Sequence, residues 1–168
     1  NPSSSHAFGT TARIAVDQAR EQVAVLIGCR PDEVVFTSGG TEANNLAIRG
    51  TAAASARRHL ITSAVEHPAT AEPCAHLQRR GWKLTVLPVD GDAVITPAPA
   101  PVDDGLGLLT VILAQNEIGT LQPVARLAEW AHAQGAVVHT DAAQAVGKVP
   151  VDVAALGVDL LSIAGHKL

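Results

Sequence analysis

Residues 124–144 read VARLAEWAHAQGAVVHTDAAQ, a helical pattern followed almost directly by an apolar run. The pattern predicts a helix over 124–134 and a strand over 136–140. Asp141 ends the strand, at a position where an unpaired carboxylate would be costly to bury. A helix that leads into a buried strand is the unit expected in folds where helices cover a parallel sheet.

The same alternation extends over the rest of the chain. Apolar residues over 11–27 recur at roughly helical spacing and Gly28 follows as a stop, so one amphipathic helix is expected there. Residues 34–37 are interpreted as a short strand, which the glycine turn at 38–42 breaks. The other predicted elements are helix 43–56, strand 59–63, helix 68–80, strands 83–87 and 108–113, helix 153–156 and strand 159–163.

Repeated strand-then-helix order predicts an α/β fold with a mostly parallel sheet and helices on both faces. The 168 residues are 47% hydrophobic and 17% charged, which suits one globular domain. With two Phe, two Trp and no Tyr or Met, the core has to be built from small aliphatic side chains. The Pro-Ala run at 96–101 is expected to be an extended, exposed loop.

Composition argues against several classes of function. A net charge of -4 and a pI near 5.9 provide no basic surface for nucleic acid. The longest apolar runs, such as 106–114, have the length of a strand and no charged-then-apolar leader opens the chain, so we expect a cytoplasmic protein without a membrane segment. Cys29 and Cys74 form no C-x-x-C or metal-like cluster with the seven His, so neither a disulfide framework nor a metal site is expected.

Polar residues follow four predicted strands at their carboxyl ends, where open α/β sheets collect ligand sites. The four groups are Ser38-Gly39-Gly40-Thr41-Glu42, Glu66-His67, Asp141 with Gln144, and Gly165-His166-Lys167. Gly39 and Gly40 before Thr41 offer backbone N–H groups, a hydroxyl and a helix N-terminus, which together suit a phosphate. A tight structural turn with Ser38 or Thr41 as N-cap explains the same residues equally well.

Three further side chains have two interpretations each. A protonated pyridine nitrogen would be a suitable cationic partner for Asp141, and a cap on the following turn is the alternative. Lys167, held near desolvating walls, could form a Schiff base, although most lysines are merely solvated. The imidazole of His67 could face a planar ligand, or His67 could be an ordinary polar loop residue.

Six motifs in order make the chain resemble the cysteine desulfurases, which belong to the class V aminotransferase-like group of fold type I. They are Asn1-Pro2-Ser3-Ser4-Ser5-His6, Phe36-Thr37-Ser38-Gly39-Gly40-Thr41-Glu42 with Asn45, Glu66-His67, Asn116-Glu117-Ile118-Gly119, His139-Thr140-Asp141-Ala142-Ala143-Gln144 and Gly165-His166-Lys167. The resemblance covers the whole chain and implies pyridoxal 5'-phosphate as cofactor. It implies that residues 1–168 are part of the large, aspartate aminotransferase-like domain of a transferase. The small C-terminal domain and the loop with the catalytic cysteine would then lie outside this sequence, as the position of Leu168 just after the Gly-His-Lys turn also suggests.

The resemblance also assigns roles to individual residues. Lys167 matches the lysine that carries the cofactor and later moves the substrate α-proton, and Asp141 matches the carboxylate that pairs with the pyridine nitrogen. His67 matches the histidine stacked on the ring. Asn116 and Gln144 match side chains that form hydrogen bonds near the ring hydroxyl.

The phosphate end of the cofactor is implied in the same way. Gly40 and Thr41 match the phosphate cradle, and His166 joins them. One departure from the family pattern stands out, because Ala164 occupies the position where many cysteine desulfurases have a phosphate-binding serine. One expected hydroxyl is therefore missing from that corner.

The implied reaction converts L-cysteine to L-alanine and leaves the sulfur on an enzyme cysteine as a persulfide, for iron–sulfur cluster or other sulfur-acceptor proteins. The implied partners are a sulfur acceptor or scaffold protein and a second copy of the enzyme in a homodimer. Selenocysteine lyases and other carbon–sulfur lyases resemble the chain in the same segments and are the alternative. A truncated, non-catalytic interaction module is an alternative of another class.

Overall fold

The computed structural model describes residues 1–4, 6–96, 102 and 105–168. Its five strands are β1 (His59–Ser63), β2 (Lys83–Leu87), β3 (Leu108–Ile112), β4 (Val137–Asp141) and β5 (Leu160–Ser162). All of them run parallel, in the order β2-β1-β3-β4-β5. The carboxyl ends of the strands therefore lie at one edge of the sheet.

The helices occupy the connections between the strands. They are α1 (Ala7–Ile27), α2 (Gly40–Ala54), α3 (Pro68–Arg79), α4 (Val124–Ala133) and α5 (Val153–Leu156), with short 3-10 turns at Pro31–Glu33 and Gly165–Lys167. Within the described part of the chain, no helix is both long enough and apolar enough to cross a membrane.

Both faces of the sheet are covered by helices. Leu60 and Leu108 pack with side chains of α2 and α3, whereas the next residues along each strand, Ile61 and Leu109, pack with side chains of α4. Successive side chains of a strand point to opposite faces, so α2 and α3 lie on one face and α4 on the other. The predicted α/β fold, with a mostly parallel sheet between two helical layers, is confirmed.

The predicted strand at 34–37 is wrong, because this segment pairs with no strand among the described residues. Val35 and Phe36 are exposed, and the Arg20 guanidinium lies 5.0 Å from the centre of the Phe36 ring. A cavity of about 810 Å³ is lined by Val35 as well as by all three residues of β5. The cavity, and not a neighbouring strand, therefore lies between this apolar segment and the edge strand β5.

Two helices begin earlier than predicted. α1 starts at Ala7 instead of residue 11, and α2 starts at Gly40 instead of residue 43, so the second glycine of the turn is already helical. The other described elements begin and end within two residues of their predicted bounds. The predicted Pro-Ala loop lies outside the described residues except for Thr96, which is exposed.

Glu66 joins the end of β1 to β3. The hydrogen-bonded register of the two strands ends at Ile61 and Leu109, and beyond it Glu66 Oε1 accepts a hydrogen bond of 2.9 Å from the backbone N–H of Ile112. The Ser63 hydroxyl donates to the same oxygen at 2.5 Å. The residue is half-buried, but its Oε2 atom is buried without a partner among the described residues. Burial is the main reason why the pKa of Glu66 rises from 4.5 to about 8.

We expect Glu66→Gln to flatten the pH dependence of stability between about pH 4.5 and about pH 8. In this range the folded protein keeps a proton that the unfolded chain has lost, so the free energy of unfolding of the wild type falls as pH rises. The fall amounts to at most about 1.4 kcal/mol per pH unit. Glutamine does not titrate and removes that contribution.

Urea unfolding of the wild type and the Glu66→Gln variant at a series of pH values measures this difference. Glu72→Gln, on the exposed side of α3, is the matched control and should keep the slope of the wild type. An identical slope for Glu66→Gln and the wild type would mean that Glu66 is already ionised in the folded protein.

Candidate functional site

A cavity of about 250 Å³ lies at the carboxyl edge of the sheet. This volume is slightly below the roughly 300–1,000 Å³ that small-molecule sites usually have. All eight residues to which the sequence points line this cavity: Gly40, Thr41, His67, Asn116, Asp141, Gln144, His166 and Lys167. None of the eight lines the larger cavity of about 810 Å³ beside β5.

The first turn of α2 forms one corner of the cavity. Gly39 is the N-cap of α2 and no side chain caps the helix, so the alternative in which Ser38 or Thr41 acts as N-cap is wrong. The Glu42 carboxylate instead accepts a hydrogen bond of 2.6 Å from the backbone N–H of Ser38. An uncapped helix N-terminus carries partial positive charge, and with the Thr41 hydroxyl it suits an anion.

Ala164 closes the same corner. It is 2% exposed and lines the cavity beside Gly40. A side-chain carbon placed on Gly40 would lie 3.4 Å from the Ala164 methyl group, so the two residues approach closely. Residue 164 therefore presents a methyl group, not a hydrogen-bond donor, to the cavity.

Asp141 lies at the end of β4 and is 4% exposed. Its Oδ1 atom accepts a hydrogen bond of 2.9 Å from the backbone N–H of Ala143, so the side chain does hold the turn after the strand, although no helix begins there. Its Oδ2 atom accepts a hydrogen bond of 2.6 Å from the side-chain amide of Asn44. Each carboxylate oxygen keeps further acceptor capacity, so Asp141 can bind a cationic donor in the cavity as well.

His67 caps α3 and also borders the cavity. Its Nδ1 atom accepts a hydrogen bond of 3.1 Å from the backbone N–H of Ala69, so the neutral ring carries its hydrogen on Nε2. His67 is exposed, which leaves a ring face available to a ligand. His67 therefore differs from an ordinary loop histidine, because its ring caps a helix.

Lys167 ends the 3-10 turn that follows β5. The residue is half-buried, and its backbone carbonyl accepts a hydrogen bond of 3.1 Å from the Lys148 ammonium group. The backbone N–H of Lys167 donates to the Ala164 carbonyl at 2.9 Å. These contacts fix the turn that brings the Lys167 side chain to the cavity.

Neither cysteine lines this cavity. Cys74 is 1% exposed inside α3, and burial raises the pKa of its thiol to about 12. Burial also raises the pKa of the Cys29 thiol, and Cys29 lines the larger cavity beside β5. A thiol is nucleophilic as the thiolate, so neither residue is suited to attack a ligand at Lys167.

Asn44 was not among the residues to which the sequence points, and Glu66 appeared there only beside His67 in a motif. Asn44 is 1% exposed and lines the cavity, and Ile48, one turn further along α2, is completely buried. The available signal was helical spacing, because Asn44 lies four residues after Gly40 and so on the same face of α2. In the structure Glu66 holds its loop through its bonds to Ser63 and Ile112.

The cavity thus joins three kinds of chemistry. The N-terminus of α2 with Thr41 and His166 suits an anionic group, Asp141 suits a protonated ring nitrogen, and the amine of Lys167 suits a carbonyl carbon. Pyridoxal phosphate has all three groups, so the side chains present fit this cofactor.

Comparison with known proteins shows similarity over the whole chain. A cysteine desulfurase IscS of Dictyoglomus turgidum is 48% identical over 99% of this chain and 43% of its own length. The human cysteine desulfurase is 43% identical over 100% of this chain and 38% of its own length. A solved structure described as SspA in complex with cysteine is 37% identical, with a TM-score of 0.92 over 99% of this chain and 49% of its own.

The chain spans about two fifths of the length of these curated relatives. The model of the family described as aminotransferase class-V matches residues 1–168. Enzymes of this family depend on pyridoxal phosphate. Because the match extends over the whole sequence, the chain belongs to the class-V aminotransferase family.

Proposed function

We propose that the protein is a pyridoxal-phosphate-dependent cysteine desulfurase that converts L-cysteine to L-alanine and transfers the sulfur to an enzyme cysteine as a persulfide. One observation carries this proposal: eight residues from separate segments line a single cavity, with Asp141 and Lys167 among them. The similarity to cysteine desulfurases over the whole chain supports the substrate.

The residues that line the cavity have proposed parts in holding the cofactor. Gly40, Thr41 and His166 hold the phosphate, as the uncapped start of α2 supports. Asp141 pairs with the ring nitrogen through a charge-assisted hydrogen bond. Three further side chains lie near the ring: His67 against its face, and Asn116 and Gln144 near its hydroxyl.

Pyridoxal phosphate, when bound, would supply an electron sink for the charge that develops at the substrate α-carbon. Lys167 is the proposed general base for the α-proton, since its amine reaches the same cavity as the ring-binding residues. Asp141 keeps the ring nitrogen protonated. The carbon–sulfur bond then breaks, its electron pair and a proton go to the methyl carbon of alanine, and a sulfur–sulfur bond forms on the enzyme thiolate.

The attacking thiol and the partners belong to the proposal as well. The burial of Cys74 and the position of Cys29 argue that the thiol comes from outside these 168 residues. By analogy with the relatives, we propose a cytoplasmic homodimer that passes sulfur to an acceptor or scaffold protein of iron–sulfur cluster assembly.

We expect the cofactor to be bound covalently to Lys167. Borohydride reduction of the full-length protein loaded with pyridoxal phosphate, followed by peptide mapping, should place the label on that residue, because its turn brings the side chain to the cavity. Lys167→Ala should lose the label. A label on Lys148 or Lys83 in the wild type would contradict the site assignment.

Asp141→Ala in the full-length protein should lose most turnover and weaken retention of the cofactor. The lost bond to the ring nitrogen is worth about 1.5–3 kcal/mol, which corresponds to a roughly 10- to 100-fold weaker affinity. Equilibrium dialysis of the cofactor and alanine formation measure the two effects. Asp17→Ala, at an exposed aspartate of α1 outside this cavity, is the control. Near-normal turnover of Asp141→Ala would mean that Asp141 serves only as a turn cap.

The 168-residue chain alone, supplied with pyridoxal phosphate, L-cysteine and a reductant, should release no sulfide together with alanine. Cys74 lies about two helical turns beyond His67, or roughly 10 Å along the α3 axis, and its thiol is buried. Sulfide and alanine are measured together. Their stoichiometric release at the rate of the full-length protein, abolished by Cys29→Ser or Cys74→Ser, would show that the nucleophile lies within this chain.

A further inference from the structure

Asn44 connects α2 directly to the carboxylate of Asp141. The Nδ2 atom of Asn44 lies 2.6 Å from Oδ2 of Asp141, a short distance for a hydrogen bond between an amide and a carboxylate. The two residues are 97 positions apart in the sequence. With the backbone N–H of Ala143 on Oδ1, the Asn44 bond gives Asp141 a donor on each oxygen.

The Asn44 side chain is itself held in one orientation. It is 1% exposed, and its Nδ2 atom also lies 3.2 Å from the Thr70 hydroxyl of α3. An amide nitrogen carries two hydrogens, and these two bonds account for both. Rotation of the amide by half a turn would place Oδ1 of Asn44 against the negative charge of Asp141. The amide therefore acts as a fixed donor.

We propose that Asn44 is a positioning residue that fixes the Asp141 carboxylate toward the ring nitrogen of the cofactor. The inference rests on the proposed function, because the ring nitrogen belongs to pyridoxal phosphate. Asn44 lines the same cavity as Asp141, yet it acts through the carboxylate and not on the substrate. Its role depends on contact between α2, α3 and the end of β4.

Glu66, the second acid near Asp141, does not take part in positioning the Asp141 carboxylate. Glu66 accepts its hydrogen bonds from Ser63 and Ile112, and burial, with a smaller contribution from the charge of Asp141, raises the pKa of Glu66 to about 8. Glu66 is therefore mostly neutral at physiological pH. Asn44 is the side chain that donates a hydrogen bond to Asp141.

Loss of the Asn44 bond should change the protonation of the bound cofactor in one direction. Without the Asn44 donor, the proton shared by Asp141 and the ring nitrogen moves toward the carboxylate, and the ring loses positive charge. A less positive ring repels the proton on the Lys167–cofactor nitrogen less strongly. The pH at which the absorbance of the bound cofactor changes should therefore rise.

The test compares the full-length wild type with Asn44→Leu, both loaded with pyridoxal phosphate. We expect the midpoint of the absorbance change to rise by about one pH unit and cofactor affinity to fall roughly tenfold, the scale of one hydrogen bond to a charged group. Melting temperatures without cofactor report any purely structural effect. Asn44→Ser, which is too short to reach Asp141, provides the same measurements if Asn44→Leu does not fold.

Thr70→Val is the matched control, because it removes the other partner of Nδ2 and leaves the bond to Asp141 in place. Its midpoint should equal that of the wild type. In a Glu66→Gln background, where the neighbouring acid does not titrate, the shift caused by Asn44→Leu should persist.

Two results would overturn the inference: an Asn44 variant with a lowered melting temperature and an unchanged midpoint, or an equal shift in Thr70→Val. A wild type that shows no absorbance band of bound cofactor would instead contradict the proposed function.

Discussion

Burial of the sheet on both faces is the constraint on which the rest of the molecule depends. Every residue of β1 and β3 is buried, so a polar side chain within the sheet has to find its partner there. His139 shows this, because its ring is fully buried between the Thr110 hydroxyl at 2.8 Å and the Ser162 hydroxyl at 2.9 Å. Burial lowers the pKa of His139 to about 4, so the ring is neutral.

The acidic side chains near the cavity, Asp141 and Glu66, lie at or beyond the ends of their strands. Asp141 is the last residue of β4, and two donors accompany it, one from the turn that follows and one from α2. Because the strands are parallel, the loops that carry His67 and Lys167 begin at the same edge. The parallel alignment of the strands therefore gathers reactive side chains at one edge of the sheet.

Sequence periodicity was sufficient for most of the fold because burial on two faces leaves continuous apolar runs, and amphipathic helices separate them. It failed at residues 34–37, where the apolar, β-branched composition is that of a strand. A strand also needs a neighbour, and composition carries no information about which backbone lies alongside. The start of α2 at Gly40 was missed for a local reason: glycine is a poor helix former, yet the position needs no side chain.

The candidate site was largely predictable because its residues cluster in short motifs at strand ends. Asn44 was not, since its role depends on a contact with Asp141 across the packed interior, and helical spacing from Gly40 places it on the right face of α2 without indicating that partner. The buried acid at Glu66 is similar, because its hydrogen bond to Ile112 appears only once β1 and β3 are side by side. Long-range polar pairs of this kind follow from packing and not from local pattern.

The outer edge of β5 has a consequence for how the chain behaves in solution. β5 pairs with β4 on one side, and on the other its residues line the large cavity, with no further strand among the described residues. An open strand edge presents backbone donors and acceptors to any extended peptide, and Leu160, Val35 and Leu46 add exposed apolar surface around this cavity. This edge is therefore where a further strand or an extended peptide could pair with the sheet.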